Sequence, residues 1–191
     1  MTESATSPTP AAPAEVPTRD RILFATAELF RRQGYHGTGL KQIVAEADAP
    51  FGSLYHHYPG GKTELGERVI ESAGAFFQAL VTAVYDDERS TEDSIRAVFT
   101  GAAATLEATD YEDACPIATV ALEVASTDDR LRAATAAVFE RWTVALAERL
   151  GDRAKALAVI AALEGAFVLC RASRDTEAMH AAGAMAAALV A

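Results

Sequence analysis

The fold is decided by residues 27–65, which read AELFRRQGYHGTGLKQIVAEADAPFGSLYHHYPGGKTEL. Apolar side chains recur here with the 3.6-residue period of amphipathic helices, and glycine or proline interrupts the pattern at short intervals. The pattern predicts three helices: the first begins at a capping Thr18 and ends before Gly34, the second is capped by Thr38, and the third has Pro50 at its first position and runs to about Tyr58. Three such helices, with a tight turn before the third, describe a helix-turn-helix.

Six apolar side chains are predicted to form the core of this unit: Ile22, Leu29, Phe30, Ile43, Val44 and Leu54. Asp48 falls in the tight turn before the third helix, where its short polar side chain tolerates a left-handed backbone. A generic three-helix bundle has the same periodicity, so periodicity alone does not distinguish it from a helix-turn-helix. The identities of particular residues do.

Several residues of this stretch fall in a fixed register, namely Phe30, Gly34-Tyr35, Thr38, Gly52-x-Leu54-Tyr55 and Lys62. This register strongly resembles the DNA-binding signature of the TetR family of repressors over about residues 18–70. The Pro59–Lys62 joint and the later Ala114–Ala118 run resemble, more narrowly, the branch that contains the LmrA and YxaF regulators. Phe51 stands where the family often has a polar residue, and Asp48 where it often has glycine.

The resemblance implies an all-α fold, with an N-terminal three-helix DNA-binding domain followed by a C-terminal helical bundle for ligand binding and dimerisation. We expect a disordered tail over residues 1–17, the DNA-binding domain over 18–65 and the bundle over 66–191. Further helices are predicted near 62–85, 91–108, 116–126, 128–149, 152–172 and 175–190. The last two form the dimer interface in the family, and their small residues fit close contact: Ala158, Ala161, Ala162, Gly165, Ala166, Gly183 and Ala184.

Charge is divided unevenly along the chain. The whole chain carries −10, but residues 17–62 hold six basic and four acidic side chains, while residues 63–191 hold eleven basic and twenty-one acidic ones. Neutralisation of DNA phosphates needs lysine and arginine. A mildly basic N-terminal unit on an acidic body therefore fits a small DNA-binding domain attached to a domain that does not touch DNA.

The third helix carries the predicted base contacts. About nine residues span roughly 13 Å at 1.5 Å per residue, close to the roughly 12 Å width of the major groove. The candidates on this helix are Pro50, Phe51, Gly52, Ser53 and His56, of which Gly52 would let the backbone press on the groove. By resemblance, Tyr55, His57 and Lys62 contact phosphates and Thr38 donates its hydroxyl at the start of the second helix, and Lys41 is a further candidate for DNA contact. For His56, His57 and Lys41, an ordinary solvated surface position is the alternative.

The C-terminal half shows no catalytic constellation. After residue 66, His180 is the only histidine, and neither a Gly-x-Ser-x-Gly motif nor a phosphate-binding loop occurs, so we predict neither an enzyme nor a cofactor. The surplus of apolar helix instead predicts an internal pocket for a small molecule. The candidate pocket residues are Phe76, Phe99, Cys115, Phe139, Trp142 and Phe167, each with plain core packing as the alternative. Basic residues are few in this half, which favours a neutral or cationic ligand.

The two cysteines, Cys115 and Cys170, are too few for a disulfide framework and are expected to be buried apolar side chains rather than redox switches. Together with His180 they lack the spacing of a metal site, so no metal is predicted. The first seventeen residues lack a signal-peptide pattern, and Glu164 interrupts the apolar stretch Ala156–Cys170. We therefore expect a cytoplasmic protein.

These observations predict a homodimeric transcriptional regulator, a repressor that binds a palindromic double-stranded DNA operator and is released by a small hydrophobic effector. Two other hypotheses stay open. A ligand-independent DNA binder would keep the DNA-binding domain without a sensor, and an interaction module would keep the fold without binding DNA. Stabilisation by a ligand tests the first, and salt-dependent binding of operator DNA tests the second.

Overall fold

The computed structural model describes residues 16–84 and 89–191, without the side chains at 76, 77 and 80–84. Over these ranges the chain forms nine α-helices and no strand. They are α1 (Thr18–Gly37), α2 (Leu40–Glu46), α3 (Phe51–His57), α4 (Gly61–Val84), α5 (Thr91–Ala108), α6 (Pro116–Val124), α7 (Asp129–Leu150), α8 (Arg153–Ser173) and α9 (Glu177–Val190). The all-α prediction is confirmed, and the last five helices end within two residues of the predicted bounds. The predicted tail lies almost wholly outside the described residues.

The predicted N-terminal caps of the first three helices are wrong in detail. Thr18 is the first helical residue of α1, and Pro17 precedes it as an N-cap without a side-chain hydrogen bond. Gly39, not Thr38, is the N-cap of α2. Pro50 is the N-cap of α3 rather than its first helical residue. Side-chain caps do occur later in the chain, where Asp128 and Asp152 each accept two backbone N–H bonds at the starts of α7 and α8.

Helix α1 breaks at Gly34, as predicted, but not in the left-handed helical conformation expected of a glycine stop. Gly34 has φ 78° and ψ 177°, a region open only to glycine, and a further short turn follows it before Thr38. Because the chain changes direction at Gly34, the backbone N–H groups of Tyr35 and His36 bond outside α1. They are bonded by another helix, as described below.

Two apolar cores meet along α1. All six predicted core residues of the N-terminal unit are buried. Five of them pack with Tyr58 and with Leu65, from the first turn of α4. Phe30 instead packs with Val69, Ile117 and Trp142, in a core shared with α4, α6 and α7. The three-helix unit is therefore anchored on the C-terminal bundle through one face of α1.

A third core joins α5, α8 and α9. Phe99 is buried in it, and a Cβ on Gly183 would lie 2.7 Å from the Phe99 Cβ, so α9 packs tightly on α5 at this glycine. Helix α8 is, among the described helices, long and apolar enough to cross a membrane by length and composition. That is weak evidence, since the core helix of a soluble bundle passes the same test, and α8 supplies Val159, Leu163 and Ala166 to this core.

Candidate DNA-binding surface and ligand cavity

Helix α3 presents its predicted base-contacting residues to solvent. Pro50, Phe51, Gly52 and His56 are exposed and Ser53 is half-buried. The Phe51 and Tyr55 side chains are 45 % and 49 % exposed and pack edge to face with ring centroids 5.9 Å apart. The helix has seven residues, about 10 Å at 1.5 Å per residue, which is shorter than predicted. It still matches the width of the major groove.

Gly52 sits at an open position. An added Cβ would meet no heavy atom of the protein within 4 Å, and its backbone is ordinary α-helix. Glycine in a helix is about 1 kcal/mol less favourable than alanine. The described part of the protein gives no steric reason for glycine here.

The structure brings only some of the predicted phosphate contacts to the surface. Lys41 and Tyr55 are exposed and His57 is half-buried. Thr38 is only 1 % exposed and its hydroxyl donates to the Gly34 carbonyl at 2.7 Å, so the predicted DNA contact requires this hydroxyl to leave the carbonyl. The Lys62 ammonium lies 4.5 Å from the centroid of the Tyr35 ring, and burial lowers its pKa. A phosphate bond from Lys62 requires this group to leave the ring.

Two side chains, those of Arg21 and Tyr58, tie the segments before and after α3 to α1. Arg21, counted above only as a basic charge, donates to the carbonyls of Ala47 and Asp48 at 3.0 and 2.9 Å. Asp48 has φ 46°, which confirms the left-handed turn. The buried Tyr58 hydroxyl donates to the Arg19 carbonyl at 2.9 Å, and burial raises its pKa. Both ends of α3 are thus tied to α1.

A carboxylate connects the DNA-binding unit to the bundle. Glu123, near the end of α6, accepts the backbone N–H bonds of Tyr35 and His36 at 3.2 and 2.6 Å. A Cβ on Gly34 would lie 1.8 Å from the Glu123 Oε1, so this contact requires glycine. We call Gly34, Glu123 and these two N–H groups the α1–α6 link. The sequence analysis did not single out Glu123, and the Gly34-Tyr35 pair was the only sign in the sequence of this contact.

The opposite end of α6 borders a cavity of about 440 Å³ between α1 and the bundle. Apolar side chains dominate its wall, among them Phe24, Val69, Ile117, Trp142 and Phe167. Phe24 is also exposed, so the cavity reaches the surface beside α1. Ligands of drug-like size occupy cavities of roughly 300–1,000 Å³. This space is large enough for a compound of two or three rings.

Three of the six predicted pocket residues line this cavity: Cys115, Trp142 and Phe167. Two others are not among its lining residues: Phe99 is buried against Gly183 in the α5–α9 core, and Phe139 packs edge-on to Trp142. The Phe76 side chain lies outside the described residues. Trp142 is fixed by a 3.0 Å bond from its Nε1 to the Gly74 carbonyl.

The cavity contains one carboxyl oxygen without a partner. Glu164 Oε2 is buried and makes no hydrogen bond, and burial raises the pKa of Glu164 to about 7. Arg31, in the same wall, is paired with Glu28 at 2.5 Å and with Asp113 at 3.5 Å. Its Nε is also buried and, like Glu164 Oε2, makes no hydrogen bond.

The cysteines show no sign of reactivity. Burial, and then the neighbouring Glu164 charge, raise the pKa of the Cys115 thiol well above its usual value. A thiol held in its protonated form is a poor nucleophile. Among the described residues no group of three histidine, cysteine or acidic side chains is placed to hold a metal ion. Cys170 is buried and His180 exposed, on neighbouring helices.

Comparison with known proteins identifies the family. Residues 22–69 match the family model of bacterial regulatory proteins of the tetR family, and residues 91–185 match the C-terminal domain of LmrA/YxaF-like transcriptional regulators. An HTH-type transcriptional regulator of Mycobacterium tuberculosis is 35 % identical over 170 residues, covering 82 % of this chain and 86 % of that protein. The chain belongs to the TetR family. It is a DNA-binding transcriptional regulator of the LmrA/YxaF-like branch.

Two further comparisons agree with this assignment. The HTH-type transcriptional regulator YxaF of Bacillus subtilis is 34 % identical over 132 residues, or 69 % of each chain. A TetR transcriptional regulator from Legionella pneumophila has the same fold, with a TM-score of 0.79, 21 % identity, and coverage of 91 % of this chain and 97 % of that one. TetR regulators bind operator DNA and function as dimers.

The single chain leaves an apolar face on α8 uncovered. The exposed side chains on this helix include Leu157, Ala158, Ala161, Val168 and Leu169, and Met185 and Leu189 are exposed on α9. Gly165 lies on the same face and has open space around it. Two of the small residues named for close helix contact make that contact within the chain, since Ala166 is buried and Gly183 packs on Phe99.

Proposed function

We propose that this TetR regulator is a repressor that leaves a palindromic operator when a small hydrophobic ligand enters the α1–bundle cavity. One observation carries the proposal: the wall of the cavity is built from both α1 and the bundle. A ligand there contacts the DNA-binding domain (18–65) and the sensor domain (66–191) at once. The tail, residues 1–17, has no part in either step.

The DNA-binding step uses two copies of α3. A two-fold dimer places them in successive major grooves about 34–36 Å apart, so the operator is palindromic. Pro50, Phe51, Ser53 and His56 contact base edges, and Gly52 lets the helix backbone approach them. Lys41, Tyr55, His57 and Lys62 contact phosphates, which position the domain without reading sequence.

Release uses the α1–α6 link. A ligand that presses on α1 and on Ile117 of α6 changes the position of one helix relative to the other. Because Glu123 of α6 bonds the backbone at the end of α1, that displacement reaches the DNA-binding domain, in addition to any shift of the continuous helix α4. A coupling of about 1–3 kcal/mol changes operator affinity by five- to 150-fold.

The decisive experiment measures ligand binding and operator affinity together. An operator is first selected from random DNA, and hydrophobic compounds are then screened by thermal shift at constant protein concentration. A compound present at about a hundred times its dissociation constant should stabilise the protein by about 2.7 kcal/mol and should weaken operator binding. Compounds that bind tightly while operator affinity stays constant would contradict the effector role. Screening without a single binder would favour the ligand-independent DNA binder.

We expect Gly165→Leu to weaken the dimer, which we propose forms through α8 and α9. A leucine side chain between closely packed helices costs about 1–3 kcal/mol, which corresponds to an approximately five- to 150-fold higher dimer dissociation constant. Sedimentation velocity over a range of protein concentrations measures the dimer dissociation constant. Gly101→Leu on α5 is the control, since Gly101 is equally exposed and open. Equal dimer strength in the two variants would place the interface elsewhere.

A further inference from the structure

We propose that Glu164 selects the effector, and that the cavity takes aromatic compounds carrying a protonated amine. This inference rests on the proposed effector role of the cavity and adds the chemical class of the ligand. Its basis is a buried carboxyl oxygen without a hydrogen bond, in the wall of a cavity whose other side chains are mainly apolar.

The position of Glu164 makes it available to a ligand. It lies on α8 beside Cys115 and Phe167, and these three residues form part of the wall of the 440 Å³ cavity and of a second cavity of about 320 Å³. A buried acceptor left without a donor destabilises the structure that contains it. An occupant whose donor group reaches Oε2 removes that cost, which makes the contact favourable in the bound state.

Neither arginine in the described walls of the two cavities bonds this oxygen, because Glu164 Oε2 has no hydrogen-bond partner; the Arg31 Nε in the same wall is likewise buried without one. Arg31 on α1 is paired with Glu28 and Asp113, and the Nε of Arg171 on α8 donates to the Tyr111 carbonyl at 3.2 Å. The ionisable side chains in the two walls are Glu28, Arg31, Asp113, Cys115, Glu123, Glu164 and Arg171. Acids outnumber bases in this set, so the field in the cavity favours a cation and disfavours an anion.

The apolar part of the wall defines the rest of the ligand. Trp142 and Phe167 offer ring surfaces, and Val69 and Ile117 offer aliphatic ones. Aromatic rings pack well against both, with an additional gain from ring–ring geometry. A fused or linked ring system with one aminomethyl group therefore satisfies the two features of the site together.

The inference includes a dependence on pH. Burial raises the pKa of Glu164 to about 7, with the Cys115 thiol acting in the opposite direction. Below this pH the carboxyl is neutral in the empty cavity, and above it the carboxylate forms. An amine that stays protonated throughout should consequently bind more tightly as pH rises from 6 to 8, whereas a neutral alcohol should not.

The empty protein should show the matching change in stability. Because the carboxyl pKa is raised on folding, the folded state holds its proton to a higher pH than the unfolded state does. The contribution of Glu164 to the free energy of unfolding therefore decreases as pH rises from about 4.5 to about 7 and is constant above that range. Glu164→Gln should remove this contribution.

Three probes with the same ring test the proposal on the full-length dimer: 1-naphthylmethylamine, 1-naphthalenemethanol and 1-naphthoic acid. Titration calorimetry at pH 8 should give the amine at least about tenfold tighter binding than the alcohol, with the acid weakest. At pH 6 the preference for the amine should shrink. Glu164→Gln should bind the alcohol and lose the preference for the amine. Glu148→Gln, which alters an exposed carboxylate on α7, should keep it.

Several outcomes would overturn the inference. Glu164→Gln retaining the preference, or the acid binding more tightly than the amine, would show that Glu164 does not select the ligand, while leaving the effector role intact. Failure of all three probes would also overturn it, and the wider compound screen then decides the effector role separately. If Glu164→Gln does not fold, the wild-type pH profile decides instead, since amine binding that is flat between pH 6 and 8 contradicts the proposal.

Discussion

Gly34→Ala is expected to destabilise this regulator by about 3 kcal/mol, lowering its melting temperature by roughly 6–12 °C. Two causes act together. The backbone at φ 78° and ψ 177° is open only to glycine, and an alanine held in this conformation is strained by about 1–3 kcal/mol. The added Cβ would also lie 1.8 Å from the Glu123 Oε1, so the carboxylate must move and release the N–H groups of Tyr35 and His36.

A double-mutant cycle separates the two causes. Glu123→Ala alone should cost about 1–2 kcal/mol, since it removes hydrogen bonds to a charged acceptor. Gly34→Ala combined with Glu123→Ala should cost less than the sum of the single changes, because the steric conflict is gone and only the backbone strain remains. Gly37→Ala is the control, with side-chain atoms no nearer than 3.6 Å to the added Cβ. Additive costs would mean that the α1–α6 link does not hold Gly34 and Glu123 together.

The same cycle tests how the ligand signal travels. Glu123→Ala should leave a folded protein that binds operator and ligand, but whose operator affinity responds less to the ligand. The test measures the coupling energy, which is the ratio of operator affinities with and without ligand expressed as a free energy. A loss of stability alone leaves this ratio unchanged. An unaltered ratio would point to helix α4, which runs from the DNA-binding domain into the bundle, as the main route.

Helix positions could be predicted because hydrophobic periodicity is a property of long segments. The five helices after residue 90 each bury one apolar stripe, and their bounds were predicted within two residues. Caps were predicted less well, because a single hydroxyl has several possible acceptors. The Thr38 hydroxyl bonds the Gly34 carbonyl across the α1 break, an acceptor whose position depends on the fold around it.

The cavity could be predicted only in part, for a related reason. Phe99, Trp142 and Phe167 have the same sequence signature, an aromatic residue on the apolar stripe of a helix. Which of them lines a space depends on how closely the helices approach, and α9 packs against Phe99 because Gly183 has no side chain. Glu123 was likewise indistinguishable in sequence from exposed acids such as Glu148, and Glu164 stood out only as an acid within an apolar stretch. Only the packing shows that Glu123 bonds backbone N–H groups and that one carboxyl oxygen of Glu164 is buried without a partner.

Gly52→Leu is expected to lower operator affinity by about thirtyfold or more without destabilising the protein. Inside the protein the new side chain meets nothing within 4 Å at its Cβ, and replacing glycine in a helix should add up to about 1 kcal/mol of stability. On DNA, the side chain stands where the α3 backbone would approach the bases. A poor fit costs about 1–3 kcal/mol per half-site, and the dimer has two half-sites.

Gly101→Leu provides the matched control, because it makes the same chemical change at an exposed, open helical glycine on α5. Both variants should melt at or above the wild-type temperature, and only Gly52→Leu should lose operator binding in fluorescence anisotropy at fixed salt. Binding to random DNA should fall much less, since non-specific binding depends on phosphate contacts rather than on the depth of α3 in the groove. Operator affinity that survives Gly52→Leu would mean that the α3 backbone does not approach the bases at this residue. Base recognition would then depend on side chains that reach the groove from farther away, with the exposed Phe51 and His56 as the first to replace.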